Sequence, residues 1–391
     1  MAKTADLRVV QTVIQTKETP HLKYYVGEGK LEEIKELIAG EKITLMIVDD
    51  ELSPSQNKAL EKELNIKVID RTGLILDIFA RNAKTFEAKL QVELAQLDYL
   101  SPRLTRLWTH LSRLGGGGVG TRGPGEKQLE VDKRQIRARM AAIKKKLEKI
   151  KSHRHLLREK REDLPAITGA IVGYTNAGKS TLLNTLTASN VLAENKLFAT
   201  LDPTTKALEL PSKETLLLTD TVGFIQKLPH QLVSSFHATL EEIIEADFLL
   251  HVIDASHPKA QVFIESALNT LKEIKADEIP QIFVFNKMDQ AGQTIEAIAA
   301  KFTPHVFVSA QEKTGLDDLL KAIMNFREAS QTILEFHLDY TQMNVVNLLH
   351  EHGQILEEKF ENETIYIKAK LNKITAQKIL YHFSAPHTPA K

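Results

Sequence analysis

The spacing of hydrophobic and polar positions changes along the chain, and each change indicates a different kind of structure. Residues 1–84 alternate short apolar runs, ITLMIVDD and IKVID, with stretches of helical period such as KLEEIKELIAG, in which Gly40 is the expected helix cap. This alternation predicts a small α/β unit with a mostly parallel sheet. GEGK, Gly27 to Lys30, resembles only half of a phosphate loop, and we interpret it as a turn into a helix.

Residues 85–165 contain two apolar stripes at helical spacing, separated by the glycine-rich run LGGGGVGTRGPGE. Pro102 is expected to kink the first stripe, and the second has heptad-like steps. Neither stripe can bury its apolar face alone, so we predict an antiparallel helical hairpin with residues 115–125 at its tip. The alternative is two separate amphipathic helices on the main core. The stripes comprise Phe86, Leu90, Leu94, Leu97, Leu104, Leu107, Leu111 and Leu114, then Leu129, Ile136, Met140, Ile143, Leu147, Ile150 and Leu157.

The remaining chain divides into two further predicted domains. Residues 166–329 alternate apolar runs (AITGAIVGY, TLLLTDTV, FLLHVIDAS, QIFVFNKMD, HVFVSA) with helical stretches, which is typical of a doubly wound α/β domain. Residues 330–391 follow the order strand, helix, strand, strand, helix, and predict a small α+β domain. We find no chemical motif in this last segment.

Composition restricts the class of protein. The 391 residues are 42% hydrophobic and 26% charged, as in globular proteins, and no apolar run approaches the length needed to cross a bilayer. The N-terminus lacks the features of a secretory signal, so we expect a cytoplasmic protein with no membrane span. The absence of cysteine excludes disulfides, cysteine-ligated zinc and thiol catalysis.

The net charge of zero conceals a strong asymmetry. Between Ser101 and Arg161 there are 18 Lys and Arg against 5 Asp and Glu, which gives this segment a charge of +13. The rest of the chain carries the balancing negative charge. This distribution predicts that the hairpin faces a polyanion.

The stretch GYTNAGKS, Gly173 to Ser180, fits the phosphate-loop pattern GxxxxGKS. It follows the apolar strand AIVG and begins the helical stretch STLLNTLTA, which is the context that the motif requires. Backbone N–H groups and the helix N-terminus would bind phosphate oxygens, Lys179 would reach the β and γ phosphates, and the Ser180 hydroxyl would bind Mg²⁺. The sequence therefore predicts a nucleoside triphosphate site.

Three further motifs follow predicted strands in a consistent order and spacing. Asp220 ends one strand, where its carboxylate can hold Mg²⁺ through water, and the Gly223 N–H can meet a γ-phosphate. Asn286 and Asp289 of FNKMD resemble a guanine-reading pair, because a carboxylate can accept two N–H bonds that guanine offers and adenine does not. VSA, Val308 to Ala310, resembles the last base-contacting loop.

The chain resembles the translation-factor-related P-loop GTPases and, within their Obg-HflX group, the HflX family. The resemblance rests on GYTNAGKSTLLN, FATLDPTT, DTVGFIQKLP, NKMD and GGGGVGTRGPGE together with the basic heptads, and it covers essentially the whole chain. It implies a Mg²⁺-dependent GTPase that binds the large ribosomal subunit and helps dissociate or rescue stalled ribosomes, often under stress. The expected fold is α/β: a P-loop GTPase domain preceded by a small α/β domain and a long helical hairpin, and followed by a small α+β domain.

The resemblance also implies the site residues. The nucleotide contacts are Gly173, Tyr174, Thr175, Asn176, Ala177, Gly178, Lys179, Ser180, Thr181, Phe198, Ala199, Thr200, Leu201, Asp202, Asp220, Thr221, Val222, Gly223, Asn286, Lys287, Met288, Asp289, Val308, Ser309 and Ala310. Lys179, Thr200 and Gly223 are the expected catalytic residues, and Ser180, Thr200 and Asp220 the expected metal ligands. Thr200 is the expected switch threonine, with Thr204 and Thr205 as alternatives.

Two positions affect the expected chemistry. In many related GTPases a glutamine after DxxG orients the attacking water, but here Phe224 occupies that position, so the isolated enzyme is expected to be slow. The alternative is that Phe224 simply packs in the core. Asn176 resembles the asparagine of potassium-activated GTPases, which makes K⁺ a candidate cofactor; hydrolysis independent of K⁺ remains the alternative.

The basic hairpin predicts an RNA partner, because Lys and Arg neutralise phosphates and glycines allow close backbone approach. Aromatic residues for base stacking are nearly absent, which favours recognition of folded RNA by backbone and shape, and no DNA partner is expected. We expect a monomer. The alternatives are a signalling GTPase with protein effectors and an RNA-remodelling NTPase that also uses ATP. The expected RNA contacts are Arg113, Gly115, Gly116, Gly117, Gly118, Arg122, Lys127 and Arg134.

Overall fold

The computed structural model describes residues 1–16, 18–104, 124–162, 167–187, 202–211, 215–225, 237–292, 295–360, 364–372, 376 and 379–380. The chain forms two compact units. The first comprises Met1–Lys151, Leu192–Pro203 and Thr221–Glu242, and the second Ser152–Val191, Thr204–Asp220 and Ile243–Lys391. Of the predicted glycine-rich tip, only Pro124 and Gly125 lie within the described residues, and they begin a helix.

The N-terminal part of the first unit is a small α/β fold, as the apolar runs predict. Its elements are α1 (Glu28–Glu41), β1 (Leu45–Val48), α2 (Pro54–Leu64), β2 (Lys67–Asp70) and α3 (Arg71–Asn82), and the two strands pair in parallel. Gly27 is the N-cap of α1, so GEGK is a turn into a helix. The prediction that Gly40 caps this helix was wrong: α1 continues through Gly40, and Lys42 takes the left-handed conformation with φ 53°.

Two long helices follow, α4 (Phe86–Leu104) and α5 (Pro124–Glu162). Leu90 and Leu94 form a buried cluster with Ile143, and the partly buried Leu97, Met140, Leu147 and Ile150 pack against it. The parts of the two stripes from Leu90 to Leu97 and from Met140 to Ile150 therefore bury each other, as predicted, and the stripe positions nearest the glycine-rich run lie outside the described side chains. Phe86 departs from the pattern, because 63% of its surface is exposed. Pro102 lies within α4, which continues for two further residues.

Hydrogen bonds to the buried Asp70 and the partly exposed Glu93 fix the start of α3 and the course of α4. Asp70 caps α3 by accepting from the Gly73 N–H at 2.8 Å, and it also accepts from the Tyr99 hydroxyl at 2.7 Å and the Arg103 guanidinium at 2.8 Å. Arg139 of α5 forms a two-pronged pair with Glu93 of α4, at 2.6 and 2.9 Å. These contacts hold α4 against both of its helical neighbours.

The second unit contains a six-stranded sheet in the order β4-β5-β3-β6-β7-β8. The strands are β3 (Ile167–Gly173), β4 (Thr204–Glu209), β5 (Thr215–Asp220), β6 (Phe248–Asp254), β7 (Gln281–Asn286) and β8 (His305–Phe307). All neighbouring pairs are parallel except β4–β5, in which the edge strand runs antiparallel. The helices that follow are α6 (Lys179–Thr187), α7 (His237–Ile244), α8 (Ala260–Glu273), α9 (Ile295–Ala299) and α10 (Leu316–Ser330). Most of α7 belongs to the first unit, which includes residues up to Glu242, and the other four helices belong to the second. Parallel strands buried on both faces explain their almost continuous apolar sequences.

The C-terminal segment of the second unit is a small α+β structure, as predicted. Its strands β9 (Gln331–Asp339), β10 (Gln354–Phe360) and β11 (Thr364–Asn372) form an antiparallel sheet in the order β10-β11-β9. Helix α11 (Met343–His352) packs on one face, where Phe336, Leu338, Leu349 and Ile367 are buried. Of the predicted final helix, residues 376 and 379–380 are described and are helical.

Candidate nucleotide-binding site

The carboxyl ends of three neighbouring strands bring the chemical motifs of the second unit together. Strand β3 leads into the loop 173–180, β6 ends at Asp254, and β7 ends at Asn286. In the sheet, β6 lies between β3 and β7, and Asp254 is directly opposite Asn286. Ligands of open α/β sheets bind outside the carboxyl ends of the strands, so this edge is the candidate site.

Two glycines make the loop 173–180 possible. Gly173 has φ 142°, and a Cβ there would lie 2.1 Å from the Val252 carbonyl oxygen. Gly178 has φ 94°, and its Cβ would lie 2.3 Å from Nδ2 of Asn286. Both positions combine positive φ with close approach of another segment, so only glycine fits them without strain. Each of the two glycines of the sequence motif is therefore required by a different steric contact.

Lys179 begins α6 and is buried. Its ammonium donates to the carbonyl oxygens of Gly173 at 3.2 Å and Tyr174 at 3.1 Å, both within the loop. Burial lowers the pKa of Lys179 to about 8, an effect that the negative charge of Asp220 opposes. A cation held in a low-dielectric pocket at a helix N-terminus attracts phosphate strongly.

Ser180 and Asp220 provide a pair of oxygen donors. The Ser180 hydroxyl donates to Oδ2 of Asp220 at 2.6 Å, and the Asp220 side chain is fully buried. Mg²⁺ prefers oxygen ligands and is usually held by one or two protein groups together with substrate phosphates. The chemistry of this donor set therefore fits Mg²⁺. Within the described residues, no group of three or more His, Asp and Glu side chains offers a metal site made by protein ligands alone.

Asn286 connects the loop after β7 to two other segments. Its Nδ2 donates to the Ala177 carbonyl at 2.9 Å, and its Oδ1 accepts from the Ala310 N–H at 3.0 Å. The side chain is 2% exposed. Asn286 thus ties the phosphate loop to the loop after β8, which fixes both relative to the strand edge.

Asp289 presents a carboxylate at the same edge. The Ser309 hydroxyl donates to its Oδ1 at 2.6 Å, and this hydrogen bond is the main reason that the pKa of Asp289 lies below its usual value. Asp289 is exposed whereas Ser309 is buried, so Ser309 orients the carboxylate without covering it. An ionised, exposed carboxylate held in one direction can accept two N–H bonds from guanine.

Comparison with known proteins agrees with this geometry. Residues 1–80 match a family model described as GTP-binding GTPase N-terminal, residues 82–161 one described as GTP-binding GTPase Middle Region, and residues 168–287 one described as 50S ribosome-binding GTPase. GTPase HflX of Caldanaerobacter subterraneus is 47% identical over 95% of this chain and 86% of its own length. GTPase HflX of Alkalihalophilus pseudofirmus is 54% identical over 74% of this chain and 68% of its own length.

The chain belongs to the HflX family of GTPases. It therefore binds guanine nucleotides and hydrolyses GTP. A solved structure, a GTP-binding protein from Sulfolobus solfataricus in complex with GDP, is 26% identical, covers 83% of this chain and 92% of its own, and has a TM-score of 0.43.

The described structure brings together the HflX residues expected from the phosphate loop, Asp220, NKMD and VSA. Phe198, Ala199, Thr200 and Leu201, including the chosen switch threonine, lie outside the described residues. The alternatives Thr204 and Thr205 belong to β4, where the Thr205 and Thr219 hydroxyls are 2.9 Å apart.

Asp202 has partners at the start of α4 in the first unit. Its carboxylate accepts from the Lys84 N–H and the Thr85 N–H, each at 3.2 Å, and from the Thr85 hydroxyl. The Thr85 hydroxyl in turn accepts from the Ala88 N–H at 3.1 Å. The structure thus gives Asp202 a role at this helix start, and its predicted nucleotide contact remains a prediction.

Residues 221–225 belong to the first unit, although Asp220 belongs to the second. Ile225 is buried in the core formed by α3 and α4, and Val222 packs against that core. Phe224 is 2% exposed, so it packs as the alternative interpretation expected. The roles of Thr221 and Gly223 toward phosphate stay predictions.

The expected RNA contacts are only partly described. Arg113, Gly115, Gly116, Gly117, Gly118 and Arg122 lie outside the described residues, as does the side chain of Lys127. Arg134 is exposed on α5. Sequence reasoning missed Asp254, although the rule that identified Asp220, a carboxylate at the end of an apolar strand, applies equally to FLLHVID.

Proposed function

We propose that this HflX GTPase binds the large ribosomal subunit through its basic helical hairpin, and that GTP binding and Mg²⁺-dependent hydrolysis there dissociate or rescue stalled ribosomes. The observation that carries the proposal is the exposed cationic surface of α5. Between Glu130 and His153 there are nine Lys and Arg against three Asp and Glu. Such an excess of positive charge favours RNA, because each neutralised phosphate releases counterions.

The arrangement of these charges supports an RNA partner rather than a merely solvated helix. Ile143 and its apolar neighbours face α4, so the cations project from the rest of the helix. The exposed cations are Arg134, Arg137, Arg139, Lys144, Lys145, Lys146, Lys149 and Lys151. Arg139 pairs with Glu93 and Lys151 with Glu241, whereas Arg134 and Arg137 lie further toward the glycine-rich segment. We therefore expect Arg134 and Arg137 to contribute most to binding.

The second unit supplies the groups for GTP hydrolysis. Lys179 and the loop N–H groups would bind the phosphates, and Ser180 with Asp220 would hold Mg²⁺, which neutralises phosphate charge when bound. Asn286 and Asp289, with Ser309 behind the carboxylate, would read guanine. The side chain of Phe224 cannot orient water, so we propose that the ribosome supplies the missing element. Asn176 makes K⁺ a further candidate cofactor.

The binding proposal is tested by sedimentation of the full-length protein with ribosomal subunits, comparing Arg134→Glu/Arg137→Glu with the wild type. Loss of binding to the large subunit is expected, because four units of charge change on the RNA-facing surface. The matched control is Lys301→Glu/Lys321→Glu, which makes the same charge change at exposed positions of the second unit. Equal loss in both variants, or loss in neither, would contradict the proposal.

The ribosomal reaction is tested by density-gradient profiles of intact ribosomes incubated with the protein and GTP or a non-hydrolysable analogue. If separate subunits appear with either nucleotide, binding of the protein splits the ribosome, and hydrolysis serves to release the protein afterwards. An unchanged profile with both would refute dissociation.

The hydrolysis proposal is tested by single-turnover measurements with and without ribosomes. Equal rates would refute stimulation by the ribosome. The same measurement in potassium and in sodium tests the role of Asn176, since indistinguishable rates would refute a K⁺ cofactor.

A further inference from the structure

We propose that Asp254 is a positioning residue for guanine-nucleotide binding and acts through Lys287. Asp254 is the last residue of β6, and its Oδ2 accepts from the Lys287 ammonium at 2.6 Å. Lys287 stands between Asn286 and Asp289 in NKMD, and no sequence motif points to a partner for its charge. The inference concerns nucleotide binding alone and is independent of the ribosomal partner.

The Lys287 ammonium makes a second contact that extends to the phosphate loop. It donates to the Asn176 carbonyl at 2.9 Å while it pairs with Asp254. A lysine ammonium has three donors and a compact charge, so it can bridge a carbonyl and a carboxylate at once. The side chain thus links the ends of β3, β6 and β7, and Asp254 is the only charged partner of this link among the described hydrogen bonds.

The backbone at both ends of this link needs support. Asn176 has φ 66° and Lys287 has φ 63°, and both lie in the left-handed region that residues with a Cβ adopt uncommonly. Such conformations persist where surrounding contacts hold them. The ammonium of Lys287 bonds to the carbonyl of Asn176, so one contact restrains both unusual residues.

Asp254 is itself held in place, which makes it a fixed anchor. Its Oδ1 accepts from the Ser256 N–H at 3.1 Å and the Ser256 hydroxyl at 2.6 Å. Its side chain is 17% exposed, and that of Lys287 is 26% exposed. Reduced solvent screening strengthens such a pair relative to an exposed one, and removal of one partner leaves a poorly solvated charge.

The position of the link determines what its loss should change. Asn286 already joins Ala177 to the loop after β7, and Lys287 adds a second connection one residue earlier, at Asn176. Loss of this connection should let the phosphate loop and the guanine-reading loop move relative to each other, and this should lower the affinity for the nucleotide. Lys179, Ser180 and Asp220 do not contact Asp254 through any described hydrogen bond, so the rate at saturating GTP should change little.

The first test compares Asp254→Asn with Asp247→Asn in the full-length protein. Asp247 immediately precedes β6, at the end opposite to Asp254. It accepts from the Thr168 N–H at 2.8 Å and the Thr168 hydroxyl at 3.0 Å, so like Asp254 it is an aspartate at one end of this strand that hydrogen-bonds to a neighbouring segment. Fluorescent GDP titration should show Kd raised about tenfold in Asp254→Asn and within about twofold in Asp247→Asn. kcat at saturating GTP should stay within about twofold of wild type in both.

The second test is a double-mutant cycle with Lys287→Met. If Asp254 acts through Lys287, the Kd of Asp254→Asn/Lys287→Met should equal that of Lys287→Met alone. Thermal melting of each variant separates loss of folded protein from loss of affinity. The proposal is overturned if Asp254→Asn binds GDP as wild type does, if Asp247→Asn weakens binding equally, or if the effects of the two substitutions at 254 and 287 are additive.

Discussion

Substitution of Gly178 by Ala tests the steric link between the phosphate loop and Asn286 at the end of β7. A Cβ at this position would lie 2.3 Å from Nδ2 of Asn286, and the backbone has φ 94°. Asn286 would have to move, which breaks its hydrogen bonds to the Ala177 carbonyl and the Ala310 N–H. The loop would also have to leave or strain its left-handed conformation.

The magnitude follows from these contacts. Loss of buried hydrogen-bond partners costs about 1–3 kcal/mol each, and part of that cost is recovered when the side chain finds water or another partner. We take a net loss of about 3 kcal/mol in nucleotide binding, which corresponds to a rise in the Kd for GDP of about a hundredfold. The backbone strain adds to the loss of stability of the free protein, so its melting temperature should also fall.

The assay is titration of GDP by calorimetry, with a thermal melt to establish the folded fraction. The matched control is Gly292→Ala, because a Cβ at Gly292 has no heavy atom within 4 Å and its φ lies outside the strained positive range. Gly292→Ala should bind GDP as wild type does. A Gly178→Ala protein that is folded and binds GDP within about threefold of wild type would refute the steric reasoning.

Three further substitutions test other parts of the structure. Burial lowers the pKa of His251 to about 4, so between about pH 4 and 6.5 the unfolded chain binds a proton that the folded chain excludes. The free energy of unfolding, measured by urea titration, should therefore fall by up to about 3 kcal/mol as the pH is lowered through this window. His251→Leu should flatten that pH dependence. Ile143→Ala should lower the free energy of unfolding by about 2–4 kcal/mol in the same assay, because the Ile143 side chain is 1% exposed between α4 and α5. Substitution of the neighbouring exposed Lys144 by Ala should change it little, and equal effects would contradict the observed packing. Asp202→Ala should destabilise the start of α4 by about 1–2 kcal/mol, because the Lys84 and Thr85 N–H groups lose their acceptor. Hydrogen exchange at these two amides should therefore become faster. Unchanged exchange would show that the two hydrogen bonds do not persist in solution.

The motifs were predictable because local chemistry determines them. GxxxxGKS needs glycine where the backbone turns sharply and a lysine and hydroxyl at the helix start, and these requirements hold wherever the strand lies in the sheet. The same applies to the helical apolar spacing of α4 and the heptad-like spacing of α5, which identify the faces that carry the buried Leu90, Leu94 and Ile143. Gly40 shows the limit of such local rules: glycine is permitted at a helix end but is also tolerated within a helix, and here α1 continues through it.

The sequence by itself determined five of the six strands of the large sheet, the phosphate-loop and NKMD motifs, and the concentration of positive charge on one helical segment, but it did not indicate β4. Only the tertiary structure decided that β4 pairs antiparallel with β5, that Asp202 bonds to the start of α4, and that Asp254 meets Lys287 and the Asn176 carbonyl. The physical reason is sequence separation. Asp254 lies 33 residues from Lys287, and Asn176 lies 111 residues from it, so their meeting depends on which strands become neighbours in the sheet.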